Sequence, residues 1–255
     1  MKVFRIKHGE KIFYATQENN HFKALISSKA ESELIPLSEC AVLPVVVPSK
    51  VICVGLNYKE HASEVNMDMA DEPMIFLKPS SAIIGNNDAI ILPSSSKQVD
   101  YEGELAVIIG QPIKNIPPEK VAPLIFGYSC ANDVTARDFQ RKDKLFTRAK
   151  GFDTFAPIGP CIETELDTSS LSIRTIVNDK VRQEGNTADM IYSPIELVSY
   201  ISHIMTLNPG DVIMTGTPKG IGTINAGDRV EIEIEGIGKL TNPVLSDDSL
   251  KTPMQ

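Results

Sequence analysis

The stretch Asp100-Tyr101-Glu102-Gly103-Glu104-Leu105-Ala106-Val107-Ile108-Ile109 places alternating carboxylates at the start of an apolar β-strand. Successive side chains of a strand point to opposite faces, so residues two apart share a face. We therefore expect Asp100, Glu102 and Glu104 to project side by side, where their like charges repel unless a cation lies between them. A bound divalent cation meets this requirement.

Carboxylate oxygens select hard ions, so Mg²⁺ is the expected ion, with Mn²⁺ or Ca²⁺ as the other candidates. The alternative is that Glu102 and Glu104 lie on the solvent face of an amphipathic strand, where an isolated Glu-x-Glu usually lies. A third carboxylate favours the metal site, because Asp133 directly follows residues 126–132, which read as another buried strand.

Composition and charge narrow the class of protein. The chain has 255 residues, 42% hydrophobic and 23% charged, and a formal net charge of −8, as in soluble globular proteins. Its dispersed basic residues and negative charge argue against nucleic acid or an anionic membrane as partner. Without a signal-peptide pattern or a membrane-spanning apolar run, we expect a cytoplasmic protein.

The absence of Trp and the many Ile and Val runs favour sheet over helix. Short strands separated by turn residues predict a mixed α/β, β-rich fold with few helices, a large roll of mixed sheets. Helices are expected at 57–65 and 193–205. Strands are expected at 2–6, 11–15, 50–55, 74–78, 89–92, 104–109, 124–132, 172–177, 212–215 and 229–234. Cys40, Cys53, Cys130 and Cys161 are widely spaced and are expected to be buried thiols.

Pro48 precedes an apolar strand and marks the expected domain boundary. Residues 1–48 are predicted to form a small N-terminal β module, and residues 49–255 the catalytic domain. The glycines of 215–222 lack the Gly-Lys-Ser/Thr ending of a phosphate loop, so nucleotide binding is not expected.

Five motifs follow one another along the chain. They are Asn57-Tyr58-x-x-His61-x-x-Glu64, Asp100-Tyr101-Glu102-Gly103-Glu104-Leu105, Asn132-Asp133-Val134-Thr135-Ala136-Arg137-Asp138, Ala149-Lys150-Gly151-Phe152-Asp153 and Thr215-Gly216-Thr217-Pro218-Lys219-Gly220. In this order they resemble the motifs of the fumarylacetoacetate hydrolase family, in particular its small acylpyruvase and 2-hydroxyhepta-2,4-diene-1,7-dioate isomerase members. The resemblance covers about residues 50 to 245 and implies that family's β-roll of mixed sheets, a homodimer and one divalent cation per site.

The resemblance implies that Glu102, Glu104 and Asp133 bind the metal and that Lys150 lies next to the bound substrate. Asp100 shares the predicted strand face, but the resemblance does not make it a ligand, and it is left as a supporting group.

His61 and Glu64 match the family's catalytic dyad. Three residues apart on a helix, they can hydrogen-bond, and a carboxylate on one imidazole nitrogen fixes the tautomer that leaves the other free to deprotonate a water. The alternative is an exposed helical pair with no role.

Arg137, Gln140 and Lys150 are expected to hold the substrate carboxylate and the developing negative charge, and Thr217 is expected to donate a further hydrogen bond. Arg137, Gln140 and Thr217 each have a structural alternative. Arg137 can form a salt bridge with Asp133 or Asp138 that only supports that carboxylate. Gln140 can be an exposed helix residue, and Thr217 can be present only because it suits the conformation of its turn.

The function that the resemblance implies is a metal-dependent hydrolase that cleaves a carbon–carbon bond of a small acylpyruvate-like or other 2-oxo or 1,3-dicarbonyl acid through a stabilised enolate. The alternative is an isomerase or decarboxylase on the same site, acting on a 2-hydroxymuconate-type dienoate from aromatic catabolism or on oxaloacetate. A non-catalytic scaffold is disfavoured, since clustered acids without a cation destabilise the fold. Residues 67–72 are hypothesised to form a mobile lid.

Overall fold

The computed structural model describes residues 1–25, 34–64 and 71–250. Of the hypothesised lid, only Asp71 and Glu72 are described, and the rest lies outside the described residues. Residue 65 of the first expected helix also lies outside them.

Most of the regular structure in the described part of the chain is β-strand. The strands are β1 (Lys2–His8), β2 (Lys11–Glu18), β3 (His21–Ala24), β4 (Leu34–Pro36), β5 (Ala41–Val42), β6 (Val51–Gly55), β7 (Met74–Lys78), β8 (Ile83–Ile84), β9 (Ile90–Leu92), β10 (Val99–Tyr101), β11 (Gly103–Ile109), β12 (Ile125–Asn132), β13 (Thr135–Ala136), β14 (Ala156–Glu163), β15 (Ser172–Val177), β16 (Lys180–Asn186), β17 (Val212–Met214), β18 (Gly222–Thr223), β19 (Arg229–Ile234) and β20 (Gly238–Ser246).

Helices are few among the described residues. The α-helices are α1 (Lys59–Glu64), α2 (Arg137–Asp143), α3 (Phe146–Lys150) and α4 (Pro194–Ile204). Short 3-10 helices lie at Leu37–Glu39, Ser80–Ala82, Pro118–Lys120, Ala122–Leu124, Thr187–Asp189 and Asp247–Leu250. Helix α4 begins as predicted: Ser193 caps it and forms a capping box with Glu196.

The strands form three sheets. A twelve-stranded sheet runs β4-β3-β2-β1-β14-β12-β11-β17-β6-β7, with β5 on β1 and β8 on β14. A second sheet runs β16-β15-β19-β20-β9 and a third runs β13-β10-β18. Antiparallel pairs dominate, while β17 with β6, β14 with β8 and β20 with β9 are parallel. The predicted β-rich fold of mixed sheets is therefore confirmed.

Strand β11 is buried along its whole length, which explains its unbroken apolar run. On one face Leu105 and Val107 belong to the core cluster that includes Ile232 of the second sheet. On the other, Ala106 and Ile108 belong to a separate cluster. Burial on both faces holds β11 in place, and with it the carboxylates at the N-terminal end of this strand.

The N-terminal strands continue the large sheet, because β1 pairs with β14 through Lys2↔Glu163 and Val3↔Ile162. The boundary at residue 48 stays a prediction. Three cysteines are buried as expected, whereas Cys40 is only partly buried, and all four are free thiols. Within the described ranges, no helix has the length and apolar character needed to cross a bilayer.

Candidate active site

The three predicted metal ligands come together at one point. Glu102 lies between β10 and β11, Glu104 lies in β11 and Asp133 follows β12. Pairing of β11 with β12 places Asp133 beside Glu102, whose carbonyl accepts a 2.8 Å hydrogen bond from the Asp133 N–H. All three side chains are buried, and each offers a carboxylate oxygen within 4.8 Å of the others. We call these residues the acidic triad.

Asp100 lies in a different sheet from Glu104, so the continuous strand expected from period two is interrupted, although Asp100 and Glu102 both contact Arg137. The chain leaves β-structure at Glu102, so Asp100 belongs to β10 of the three-stranded sheet. Its carboxylate accepts hydrogen bonds of 2.9 Å from Arg137 Nε and from Thr223 Oγ1. Asp100 therefore supports Arg137, in agreement with its expected role as a supporting group.

Two members of the triad are paired with buried cations. Lys150 Nζ lies 2.7 Å from both Glu102 Oε2 and Asp133 Oδ2, and Arg137 Nη2 lies 2.6 Å from Glu102 Oε1. Burial alone would raise the pKa of Glu102, but Lys150 and Arg137 outweigh it and hold that pKa well below its usual range. Burial opposes the charge of Lys150, yet Asp133 and Glu102 raise its pKa, so it stays an ammonium.

Glu104 is the member left without a cation. Its Oε2 accepts the Gly216 N–H at 2.7 Å, and the described residues give it no salt bridge. Burial, then the carboxylates of Asp133 and Glu102, raise the pKa of Glu104 well above its ordinary value. A hard divalent cation fits this oxygen-only set, because it would stabilise the charge on Glu104, which forms no salt bridge with any described residue.

The predicted dyad forms on α1. His61 is buried, and its Nδ1 lies 3.0 Å from Glu64 Oε2. The second carboxylate oxygen of Glu64 accepts the Gly220 N–H at 3.0 Å, which fixes the dyad to the loop after β17. When Nδ1 donates its proton to Glu64, Nε2 is left as the proton acceptor.

One cavity of about 740 Å³ connects these groups. Eight of the nine predicted site residues line it, and the ninth, Glu64, contacts the cavity-lining His61. The eight are His61, Glu102, Glu104, Asp133, Arg137, Gln140, Lys150 and Thr217. Apolar walls are supplied by Val54, Met74, Phe76, Phe146 and Ile221. A small polar ligand with an apolar body therefore has space beside the triad.

The expected substrate-binding residues are partly engaged with the protein itself. Arg137 braces Asp100 and Glu102, not Asp133 or Asp138, and its Nη1 donates to Gln140 Oε1 at 2.7 Å. That bond orients Gln140 and leaves its amide NH₂ for a ligand.

The Thr217 hydroxyl donates to the Gly103 carbonyl at 2.8 Å, so its hydrogen is already used within the loop. The substrate-binding roles of Arg137, Gln140 and Thr217 stay predictions.

Lys78 is a site residue that the sequence did not reveal. It ends β7 and is almost wholly buried, and its ammonium bonds Asp133 and the carbonyls of Val134 at 3.0 Å and Phe155 at 2.6 Å. Its only sequence signal is a lysine that directly follows the apolar run 74–77. Lys78 thus fixes the orientation of the Asp133 carboxylate without lining the cavity itself.

Gln183 of β16 is a second missed residue, and it joins the triad strand to the loop after β17. Its Oε1 accepts the Gly103 N–H at 3.0 Å and the Thr175 hydroxyl at 2.7 Å. Its amide donates to Thr217 Oγ1 and the Pro218 carbonyl, both at 2.8 Å. This fully bonded, buried amide positions the Gly103 backbone between two triad residues.

Replacing Gln183 by leucine is expected to lower the free energy of unfolding by about 3 kcal/mol, because it leaves the Gly103 N–H and the Pro218 carbonyl buried without partners. Urea denaturation measures this loss, and divalent-ion affinity should fall with it. Gln17→Leu, a change on an exposed strand position, is the control and should alter stability by no more than about 0.5 kcal/mol. Equal stability of the two variants would contradict the positioning role.

Comparison with known proteins supplies the family. The sequence model described as "Fumarylacetoacetate (FAA) hydrolase C-terminal" matches residues 50–245, the span expected from the motifs. Oxaloacetate tautomerase Fahd2a, mitochondrial, of Rattus norvegicus is 42% identical over 228 residues, covering 85% of this chain and 73% of the relative.

Two solved structures are similar over nearly the whole chain. A 5-carboxymethyl-2-hydroxymuconate delta-isomerase from Mycobacterium smegmatis is 44% identical with a TM-score of 0.88, covering 97% of this chain and 99% of that one. A 2-hydroxyhepta-2,4-diene-1,7-dioate isomerase from Mycobacterium marinum is 40% identical with a TM-score of 0.87 and the same coverage.

Proposed function

The chain belongs to the fumarylacetoacetate hydrolase family, and we propose that it is a metal-dependent isomerase that interconverts the keto and enol forms of a 2-oxo acid. The observation that carries this proposal is the meeting of the acidic triad and the His61–Glu64 pair at one cavity. The acidic triad supplies a binding site for an electrophilic metal ion, and the His61–Glu64 pair supplies a proton acceptor.

The relatives support proton transfer more than hydrolysis. The three described above are a tautomerase and two isomerases, whose reactions move protons and double bonds without adding water. The sequence alone favoured carbon–carbon bond hydrolysis, with isomerisation as the alternative. We now place isomerisation first.

In the proposed reaction His61 Nε2 removes a proton from C3 of the 2-oxo acid. The electron pair of that C–H bond forms the C2–C3 double bond, and the imidazolium returns the proton to the oxygen on C2. Glu64 holds the imidazole in the required tautomer through Nδ1. Glu102, Glu104 and Asp133 would hold a divalent ion, which would supply Lewis-acid polarisation when bound.

The cations of the cavity stabilise the negative charge that develops on oxygen. Lys150 stays protonated, so it contributes its charge as an ammonium, and Arg137 contributes a guanidinium held by Asp100. Gln140, oriented by Arg137, presents its amide NH₂ to the substrate carboxylate in this proposal.

The proposal is tested by adding the enol form of oxaloacetate to the purified protein and following the loss of enol absorbance. We expect Mg²⁺ or Mn²⁺ to support rapid ketonisation and a chelator to abolish it. A rate with the protein and metal equal to that of the metal alone would contradict the proposal.

Hydrolysis remains a second candidate because the same dyad can deprotonate a water, and the cavity has space for one beside a substrate. Release of acetate and pyruvate from acetylpyruvate, measured in parallel, distinguishes the two. Cleavage of acetylpyruvate with no ketonisation of oxaloacetate would favour the hydrolase.

We propose a homodimer as the assembly.

A further inference from the structure

Helix α2 and the residue that follows it bring three cations to the cavity. Arg137 and Arg141 are four residues apart on the helix and so share a face, Lys144 directly follows the helix, and all three line the cavity. Arg137 is paired with Asp100 and Glu102. Arg141 and Lys144, by contrast, have no salt bridge with any residue in the described ranges, and both are exposed at the cavity rim.

Arg141 is held in place without loss of its charge. Its Nη2 donates to Gln98 Oε1 at 2.8 Å, and Gln98 Nε2 in turn donates to Asp100 Oδ1 at 3.2 Å. The neutral amide oxygen of Gln98 orients the guanidinium but does not compensate its positive charge. Arg141 therefore remains an oriented, uncompensated cation, and its planar fork matches a carboxylate.

The charges around the cavity match a dianion. Four carboxylates and four cations line it, so with neutral His61 their formal charges cancel: they are Asp100, Glu102, Glu104, Asp133, Arg137, Arg141, Lys144 and Lys150. With a divalent ion bound at the acidic triad, the net formal charge of the cavity would be +2. A substrate with two carboxylates balances this charge, whereas one with a single carboxylate leaves one positive charge uncompensated.

We propose that Arg141, assisted by Lys144, binds the distal carboxylate of a dicarboxylate substrate. The inference rests on the proposed function for the reactive 2-oxo end, which it places at the acidic triad. Arg141 lies one helical turn, about 6 Å along the axis, beyond Arg137, which contacts the triad. That offset suits a chain of about six carbons, the two carboxyl carbons included, better than the four carbons of oxaloacetate.

Calorimetry with Mg²⁺ present tests this with two probes of equal length. 2-Oxoadipate has a distal carboxylate and 2-oxohexanoate has a methyl group in its place. We expect the protein to bind 2-oxoadipate at least about tenfold more tightly, as for a charge-assisted contact. Arg141→Ala should remove most of this preference without weakening 2-oxohexanoate, and Arg141→Ala with Lys144→Ala should remove all of it.

Lys142→Ala is the matched control, because Lys142 is a cation of the same helix that does not line the cavity. It should keep the full preference. Equal binding of the probes by the wild type, binding of neither, or a preference retained by the double variant would overturn the inference. The test measures binding alone, so preference without ketonisation would refute the proposed function and leave the distal site standing.

Discussion

Glu104→Gln is expected to lower the affinity for Mg²⁺ or Mn²⁺ by more than about 100-fold, since losing groups that merely orient a ligand already weakens metal binding about 10- to 100-fold. Glutamine keeps the shape of the side chain and the acceptor for the Gly216 N–H, and removes only the charge. Calorimetry measures the affinity. Turnover of enol oxaloacetate at limiting metal should fall at least in proportion.

The same variant should be more stable than the wild type when metal is removed. Because burial and the neighbouring carboxylates raise the pKa of Glu104 in the folded state, folding is favoured while this group is protonated. That stability is lost as the pH rises from the ordinary value of 4.5 toward the folded pKa. In chelator, the melting temperature of Glu104→Gln should therefore exceed that of the wild type by a margin that grows with pH.

Glu119→Gln, which removes a charge from an exposed 3-10 helix, is the control for both measurements. It should change neither the metal affinity nor the pH dependence of stability. Unchanged metal affinity in Glu104→Gln would exclude this carboxylate as a ligand.

His61→Gln is expected to slow turnover by about 10²- to 10⁴-fold, the usual contribution of a positioned general base. Metal affinity should stay unchanged, because His61 forms its described hydrogen bond with Glu64 and not with the triad. Ketonisation rates at saturating Mg²⁺ measure the effect. Glu64→Gln should reduce turnover less, because the imidazole is retained and only its orientation is weakened.

His203→Gln provides a matched control. His203 is also a helical histidine, but its Nδ1 lies 2.9 Å from the Ser199 carbonyl, and it does not line the cavity. Its replacement should leave turnover unchanged. If His61→Gln retained wild-type turnover, proton transfer would have to be assigned to another group.

The sequence predicted the acidic triad because its geometry is local. Glu102 and Glu104 flank Gly103 at the start of a strand, and Asp133 ends the strand that pairs with it. The alternation gave no sign of a break in the strand at Glu102, so the sequence did not predict that Asp100 and Glu104 lie in different sheets.

Strands with mixed signals escaped prediction. Strand β14 contains Pro157, Gly159 and Pro160, which argue against a sheet interior, yet it pairs with β1, β8 and β12. Strand β16 is largely polar and exposed, so its sequence reads as a loop.

The roles of Gln183 and Lys78 could not be recognised because their hydrogen-bond partners are distant in sequence. Gln183 lies 80 residues from Gly103 in sequence, and Lys78 lies 55 residues from Asp133. A lysine or glutamine in a strand is usually exposed, and only the packing of distant strands shows that these two are buried.

The central claim is that a group inside the cavity transfers a proton to and from C3 of a 2-oxo acid. It is tested most directly by ketonising enol oxaloacetate in D₂O with Mg²⁺ and trapping the product at once with malate dehydrogenase. Protonation by a fixed group on one face should give a single stereoisomer of malate deuterated at C3. An equal mixture of the two isomers, as formed in solution without the protein, would contradict the claim.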